Sequence, residues 1–190
     1  MQKLIPGSVA ALFALSMGSQ LFAQSQHMPR GTATDVTNAE IEATLAKTPD
    51  AKVSDQQIRV ANVAGEYNVG VGVVHRSKTS GPQAANAIEH SQITEVYHVI
   101  SGNATFVTGG TIENAKETPD TSPVVKVLNG PSTGGGAIMN GVSRKVSPGD
   151  VVIIPPNTPH WFSEITSDQI VYLVVRFDPH KVLPAGYGTK

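Results

Sequence analysis

The sequence predicts an all-β protein, a sandwich or a barrel, built as a single domain. Its 190 residues are enough for one hydrophobic core and few for two. Its 18 glycines and 13 prolines favour a chain with many turns. Short apolar runs are separated by turn residues at intervals of about eight to twelve positions, which is typical of antiparallel sheets.

The N-terminus has the pattern of a secretory signal peptide. Lys3 is followed by an uncharged run from Leu4 to Phe22 and then by Ala23. Glycine, proline and serine dilute this run, which favours a cleaved signal over a membrane anchor. We expect residues 1–23 to be removed after Ala23, leaving an exported, periplasmic or secreted protein that is not held by a membrane.

Residues 24–54 are expected to form an N-terminal extension that contains one short helix. Thr37 and Glu40 have the spacing of a capping box, and Ile41 and Leu45 lie four positions apart. This pattern predicts a helix over about residues 38–47.

The barrel is expected over residues 55–182, with an insertion at 110–141 that could carry a hairpin of its own. The predicted strands are 57–63, 67–76, 95–100, 104–108, 143–146, 150–154, 161–165 and 169–177. In the second of these, His75 shares a face with the apolar residues. Gly70 and Gly72 lie on the other face, where something must pack closely.

Charge and cysteine content exclude several classes of function. Fourteen basic residues against fifteen acidic ones give no positive surface for nucleic acid, so we expect no nucleic-acid partner. The absence of cysteine excludes disulfides, thiol nucleophiles and thiolate metal sites. Any metal must therefore be held by His, Asp or Glu.

Two stretches contain the residues with metal-ligating chemistry. In the first, His90 precedes Glu95 by five positions, and Gly102 follows. The second stretch contains Gly149, Pro155, Asn157 and His160. Strand alternation places Glu95 and Tyr97 on one face, and the intervening sequence can form strands that bring the two stretches together.

These stretches resemble the two motifs of the cupin superfamily. The first motif is Gly, five residues, His-x-His, three or four residues, Glu, six residues, Gly, and it matches residues 81–102. The second is Gly, five residues, Pro-x-Gly, two residues, His, three residues, Asn, and it matches residues 149–164. The resemblance covers roughly residues 55–180 and implies a double-stranded β-helix, or jelly roll.

Three positions depart from the cupin motifs. Ile88 stands at the position of the first histidine, so the usual three-His, one-Glu ligand set lacks one member. Asn157 replaces a glycine, a mild change because asparagine tolerates a left-handed backbone. Glu164 replaces the final asparagine.

The resemblance then implies one divalent metal ion, Fe, Mn, Ni, Cu or Zn, held by His90, Glu95 and His160. Two histidines and one carboxylate leave positions open for water, substrate or dioxygen. His75 could supply a fourth ligand or line the pocket. Tyr97 could act as a general acid or base, although a core position is the alternative. His98 should point outward.

The expected pocket has a mixed apolar and aromatic lining that suits a small organic molecule. Its lining residues are Ile88, Val99, Phe106, Phe162 and Arg176. Arg176 could anchor a substrate carboxylate, although a surface position is the stronger expectation.

Two classes of function remain open. One is an exported metalloenzyme with oxygenase, isomerase or lyase chemistry. The other is a non-catalytic cupin that binds or senses a small molecule, for which Ile88 is the supporting feature. The resemblance also implies a homodimer, in which the segment from Ile58 to Val63 could be exchanged.

Overall fold

The computed structural model describes residues 31–79 and 85–188. The expected signal peptide, residues 1–23, lies outside these ranges. Within them, no helix is long and apolar enough to cross a membrane.

The N-terminal helix, α1 (Asn38–Leu45), begins at the predicted capping box. The Thr37 hydroxyl accepts a hydrogen bond from the Glu40 backbone, and the Glu40 carboxylate accepts one from the Thr37 backbone at 3.0 Å. Both bonds satisfy N–H groups that have no partner inside the helix. The helix ends two residues earlier than predicted.

All eight predicted strands are present. The described residues form β1 (Val53–Val63), β2 (Tyr67–Ser77), β3 (Ile88–His90), β4 (Thr94–Ser101), β5 (Ala104–Thr108), β6 (Thr111–Ile112), β7 (Lys116–Glu117), β8 (Ser132–Gly134), β9 (Ile138–Met139), β10 (Val142–Val146), β11 (Val151–Ile154), β12 (His160–Ile165) and β13 (Gln169–Asp178). A short π-helix, Val124–Asn129, lies between β7 and β8.

The strands form the predicted jelly-roll barrel from two main antiparallel sheets. One sheet has the order β1-β2-β13-β4-β11, and the other has the order β10-β5-β12-β3-β8-β7. Apolar side chains on the inner faces make one core cluster, whose members include Val74, Val99, Phe106, Phe162 and Tyr172. Alternation along each strand therefore decides which side chains enter the barrel.

Residues 110–141 do more than form an insertion with its own hairpin. Strands β6 and β9 pair with each other, as an internal hairpin would. Strand β8, however, pairs with β3 and so joins one of the two main sheets. The segment thereby reaches the strand that carries His90.

The two glycines of β2 face the interior, where a close contact was predicted. A Cβ on Gly72 would lie 2.9 Å from Nη1 of Arg176, and one on Gly70 would lie 2.6 Å from Nε2 of Gln57. The prediction is confirmed, since the space that a side chain would occupy is filled by side-chain and backbone atoms of neighbouring segments.

Candidate metal centre

His90, Glu95 and His160 converge inside the barrel. Oε2 of Glu95 lies 3.5 Å from Nε2 of His90 and 3.4 Å from Nε2 of His160. The three ligand atoms lie within 4.8 Å of one another, and all three residues are buried. Strands β3, β4 and β12 each supply one residue of this group, which we call the His-Glu-His cluster.

Contacts between the two motifs hold the cluster together. His160 at the start of β12 is the register partner of Ile88 in β3. The backbone N–H of Asn157 donates to the His90 carbonyl at 2.8 Å. Asn157 has a φ of 56°, the left-handed conformation that was expected of the residue replacing glycine.

Hydrogen bonding fixes the protonation of His160. Its Nδ1 lies 3.0 Å from the carbonyl oxygen of Thr158, which can only accept a hydrogen bond. The proton is therefore on Nδ1, and Nε2 carries a lone pair. This Nε2 is buried and has no hydrogen-bond partner among the described residues.

Ser132 orients the ring of His90. The serine hydroxyl donates to the carbonyl of Gly130 at 2.8 Å, so its oxygen accepts from Nδ1 of His90 at 2.8 Å. Nε2 of His90 is then the ring nitrogen that faces Oε2 of Glu95. Ser132 belongs to β8, and sequence reasoning missed it because the surrounding residues have the composition of a flexible turn.

Glu95 is ionised despite its burial. Burial would raise its pKa, but attraction to His90, and then to Arg176 and His160, holds the pKa well below the ordinary value. Nε of Arg176 donates to Oε1 at 3.2 Å, and the Tyr97 hydroxyl donates to Oε2 at 2.9 Å. Arg176 thus holds one carboxylate oxygen, while the other faces the two histidines.

Tyr97 keeps its proton next to this carboxylate. Burial, followed by the negative charge of Glu95, raises the pKa of Tyr97 well above its ordinary value. Its ring also packs against Tyr172, with 4.5 Å between ring centroids. Tyr97 is therefore both a core residue and a hydrogen-bond donor at the site.

The expectation that Arg176 lies at the surface is wrong. The residue is 1% exposed, and its guanidinium also donates to Oε1 of Gln57 at 2.9 Å and to Oδ2 of Asp55 at 2.6 Å. Room for this long side chain comes from Gly72, which has no side chain of its own. Strand alternation in the sequence could not show which face of β13 points inward.

The expectation that His75 could join the cluster is also wrong. In β2 it alternates with inward-facing Val74 and so lies on the outer face, where its Nε2 is 2.8 Å from the carbonyl oxygen of Ala51. His98 is exposed on β4, as predicted.

The predicted aromatic lining fills the barrel next to the cluster. The rings of Phe106 and Phe162 are 4.6 Å apart, and the ring of Phe106 lies 6.3 Å from that of His160. Val99 belongs to the same buried group. Ile88 is only partly buried and shares a strand face with His90.

The separations between Glu95 and the two histidines are close to those of a metal site. Two atoms that each lie about 2.1 Å from one divalent ion are about 3.0 to 3.4 Å apart for octahedral and tetrahedral angles. The observed separations from Oε2 to the two imidazole nitrogens are 3.5 and 3.4 Å. A carboxylate oxygen and two imidazole lone pairs are also the donors that first-row divalent metals accept.

Solved structures with a similar course of the chain include three with low sequence identity. BH2720 from Bacillus halodurans is 15% identical, with a TM-score of 0.42 over 84% of this chain and 89% of that one. A cupin-like protein from Thermotoga maritima is 16% identical, with a TM-score of 0.40 over 70% and 72% of the two chains. The DMSP lyase DddQ from Ruegeria pomeroyi is 15% identical, with a TM-score of 0.41 over 73% of this chain and 54% of the lyase.

Curated proteins and protein families give different results. No curated protein matches the sequence. A family model described as Cupin matches residues 45–185, which is well over half of the chain and includes both motifs. The matched range contains all three residues of the His-Glu-His cluster, and the chain therefore belongs to the cupin family.

Proposed function

We propose that this protein is an exported cupin that holds one divalent metal ion at the His-Glu-His cluster and acts on a small organic molecule. The observation that carries the proposal is the meeting of two imidazole nitrogens and one carboxylate oxygen in a buried space, where Nε2 of His160 has no hydrogen-bond partner among the described residues. When both imidazoles are neutral, all three atoms are hydrogen-bond acceptors or anions, and they repel one another unless a proton or a cation lies between them.

A proton is a poor substitute for a metal ion at His160. Burial, opposed by Glu95 and reinforced by His90, lowers the pKa of His160 to about 4. At neutral pH its Nε2 therefore has no proton to share with Glu95. A divalent ion in this space would supply Lewis acidity and open coordination positions for substrate or dioxygen.

The protein residues around the cluster would orient the ligands and hold a proton. Arg176 fixes Glu95 through Oε1 and leaves Oε2 directed at the histidines. Ser132 and the carbonyl of Thr158 fix the two imidazole rings. Tyr97 holds a proton 2.9 Å from Oε2, where it could be shared with a substrate as a general acid.

A cavity of about 250 Å³ adjoins Ser132 and Asn157, the two residues that bond to His90. Its wall includes Glu89, Glu117 and Asp120 but none of the three residues of the His-Glu-His cluster, so it is not the substrate site of this proposal.

A non-catalytic binding or sensing protein is the second candidate. Arg176 gives Glu95 a permanent counter-ion, so this buried carboxylate does not depend on a metal for compensation. Ile88 in place of a ligating histidine favours the same conclusion. In this alternative, His90 and His160 are polar lining for a small ligand.

Metal content separates the two candidates. Protein purified without chelator should contain about one equivalent of metal per chain, measured by elemental analysis. The variants His160→Ala and Glu95→Gln should lose it. His98→Ala is the matched control, because it removes an exposed histidine from the strand that carries Glu95 and should keep full occupancy. Less than about a tenth of an equivalent after reconstitution would leave the binding protein as the only candidate.

Export and dimerisation are part of the same proposal. Export predicts a mature N-terminus at residue 24, which N-terminal sequencing of protein secreted by a bacterial host would test. Dimerisation predicts twice the chain mass in light scattering at micromolar concentration, and a monomer would refute it.

A further inference from the structure

A second cavity, separate from the metal centre, contains three cationic side chains. It has a volume of about 130 Å³ and lies where β2 and β12 of the two main sheets face each other. The cations are Lys52, Arg76 and Lys78. Among the described residues, none of the three has a carboxylate within 4.0 Å.

Arg76 is held in place, and no carboxylate of the described residues lies within 4.0 Å of it. Its Nε donates to the hydroxyl of Tyr172 at 3.1 Å, and its guanidinium carbon lies 5.7 Å from the ring centre of Phe162. These contacts fix the plane of the guanidinium. The only described hydrogen bond of this side chain uses Nε, so the two terminal nitrogens are available for a bidentate contact with a carboxylate.

The rest of the cavity wall is partly polar and partly apolar. Its polar members are Ser77, Thr79, Asn86 and Ser163, and its apolar members are Val53, Trp161, Phe162 and Ile165. Three positive charges attract anions in general, whereas the apolar part of the wall stabilises only a ligand that also carries a hydrocarbon body. A cavity of 130 Å³ is close in size to one known to hold a benzene-sized ligand, so about six heavy atoms would fit.

The cavity does not share its polar groups with the His-Glu-His cluster. A path of contacts leads from Arg76 to Tyr172, from Tyr172 to Tyr97 at 4.5 Å between ring centroids, and from Tyr97 to Glu95. Two aromatic rings therefore lie along the contact path between the cations and the metal centre.

We infer that this cavity is a binding site for a small organic carboxylate, whose carboxylate contacts Arg76 and whose hydrocarbon part packs on Trp161 and Phe162. Lys52 and Lys78 add long-range attraction at the rim, where both are exposed. This inference does not depend on metal binding, because none of its residues belongs to the His-Glu-His cluster.

The single tryptophan of the chain gives a direct readout. Trp161 is the only tryptophan in the sequence and lines the cavity, so a bound ligand should change its fluorescence. Butyrate, with six heavy atoms, is the probe, and butyramide is its uncharged analogue of nearly identical shape. Inorganic phosphate tests an anion without a hydrocarbon body. Sodium chloride keeps the ionic strength constant.

We expect butyrate to change the Trp161 emission saturably, with half-saturation on the order of 1 mM. Butyramide and phosphate should bind at least tenfold more weakly. Arg76→Met, which keeps an unbranched side chain over Phe162, should weaken butyrate binding at least tenfold. Lys78→Ala should weaken it about threefold, whereas Lys126→Ala, which removes an exposed lysine elsewhere, should leave it unchanged.

Each other outcome contradicts the inference. Equal binding of butyramide would make the site an apolar cleft, and equal binding of phosphate would make it a general anion site. No saturable fluorescence change and no heat of binding by calorimetry would mean that the cavity is not a carboxylate site. If Arg76→Met does not fold, judged by near-UV circular dichroism, the double variant Lys52→Gln with Lys78→Gln replaces it, and unchanged affinity there would overturn the inference.

Metal content measured on the same variants keeps the two proposals distinguishable. Arg76→Met should retain whatever metal the unmodified protein holds. Loss of the metal with retention of butyrate binding in His160→Ala would confirm that the two sites are independent.

Discussion

Arg176 and Glu95 form an ion pair that is buried at the centre of the barrel. Nε of Arg176 lies 3.2 Å from Oε1 of Glu95, and both side chains are 1% exposed. The pair joins β13 to β4, two neighbouring strands of one sheet. It explains how a carboxylate can remain charged in the core, and it fixes the orientation of that carboxylate toward the histidines.

Removing the arginine should destabilise the protein strongly. Arg176→Met leaves Glu95 charged, buried and without its guanidinium partner, which typically costs about 3 to 5 kcal/mol. Urea unfolding of the metal-free protein measures this loss. The double variant Glu95→Gln with Arg176→Met removes both charges and should recover part of the stability. Equal stability of the single and double variants would contradict a role for the ion pair.

Adding a side chain at Gly72 should also destabilise the protein, because the new Cβ would clash with its neighbours. The Cβ of Gly72→Ala would lie 2.8 Å from the Gln56 carbonyl oxygen and 2.9 Å from Nη1 of Arg176. We expect a loss of about 1 to 3 kcal/mol in the free energy of unfolding. Gly134→Ala is the matched control, since it lies in a strand and its Cβ would make an ordinary 3.5 Å contact. Equal effects of the two substitutions would show that both the Gln56 backbone and the Arg176 side chain can move aside.

Restoring the missing motif histidine should strengthen metal binding. Ile88 is the register partner of His160 and shares a strand face with His90, so Ile88→His adds an imidazole on the side of the cluster. We expect the affinity for a divalent metal to rise about tenfold or more, measured by competition with a chromophoric chelator. Glu89→His, on the opposite face of the same strand, should leave the affinity unchanged. Equal affinities of Ile88→His and the unmodified protein would show that residue 88 does not face the cluster.

The buried neutral imidazole of His160 should make the stability of the metal-free protein depend on pH. Its pKa is lowered, mainly by burial, from 6.5 to about 4. Between these values the unfolded chain binds more protons than the folded protein, so stability should rise with pH across this window and fall as the solution is acidified. The change due to this residue is on the order of 3 kcal/mol.

The variant His160→Gln tests that assignment. It removes the titrating group, so the rise in unfolding free energy between pH 4 and 6.5 should be smaller than in the unmodified protein. Chemical unfolding at half-unit pH intervals gives both curves. Parallel curves would mean that another group is responsible for the pH dependence.

Much of the fold followed from local patterns in the sequence. The capping box at Thr37 predicted the start of α1, and strand β5 has the bounds that its apolar pattern predicted. These features depend on neighbouring residues alone, because helix caps and strand alternation are set within a few positions. The spacing of the two motifs likewise selected His90, Glu95 and His160, which the fold brings together.

The environment of those three residues was decided only by the tertiary structure. Alternation shows which side chains share a face, but it does not show which face is inside, and for that reason Arg176 and His75 were placed incorrectly. Ser132 approaches His90 from 42 positions away, through a strand pairing that no local pattern indicates. The sequence alone was therefore sufficient to select His90, Glu95 and His160. The charge that stabilises Glu95 and the hydrogen bonds that orient the imidazoles depend on contacts between strands that are distant in the sequence.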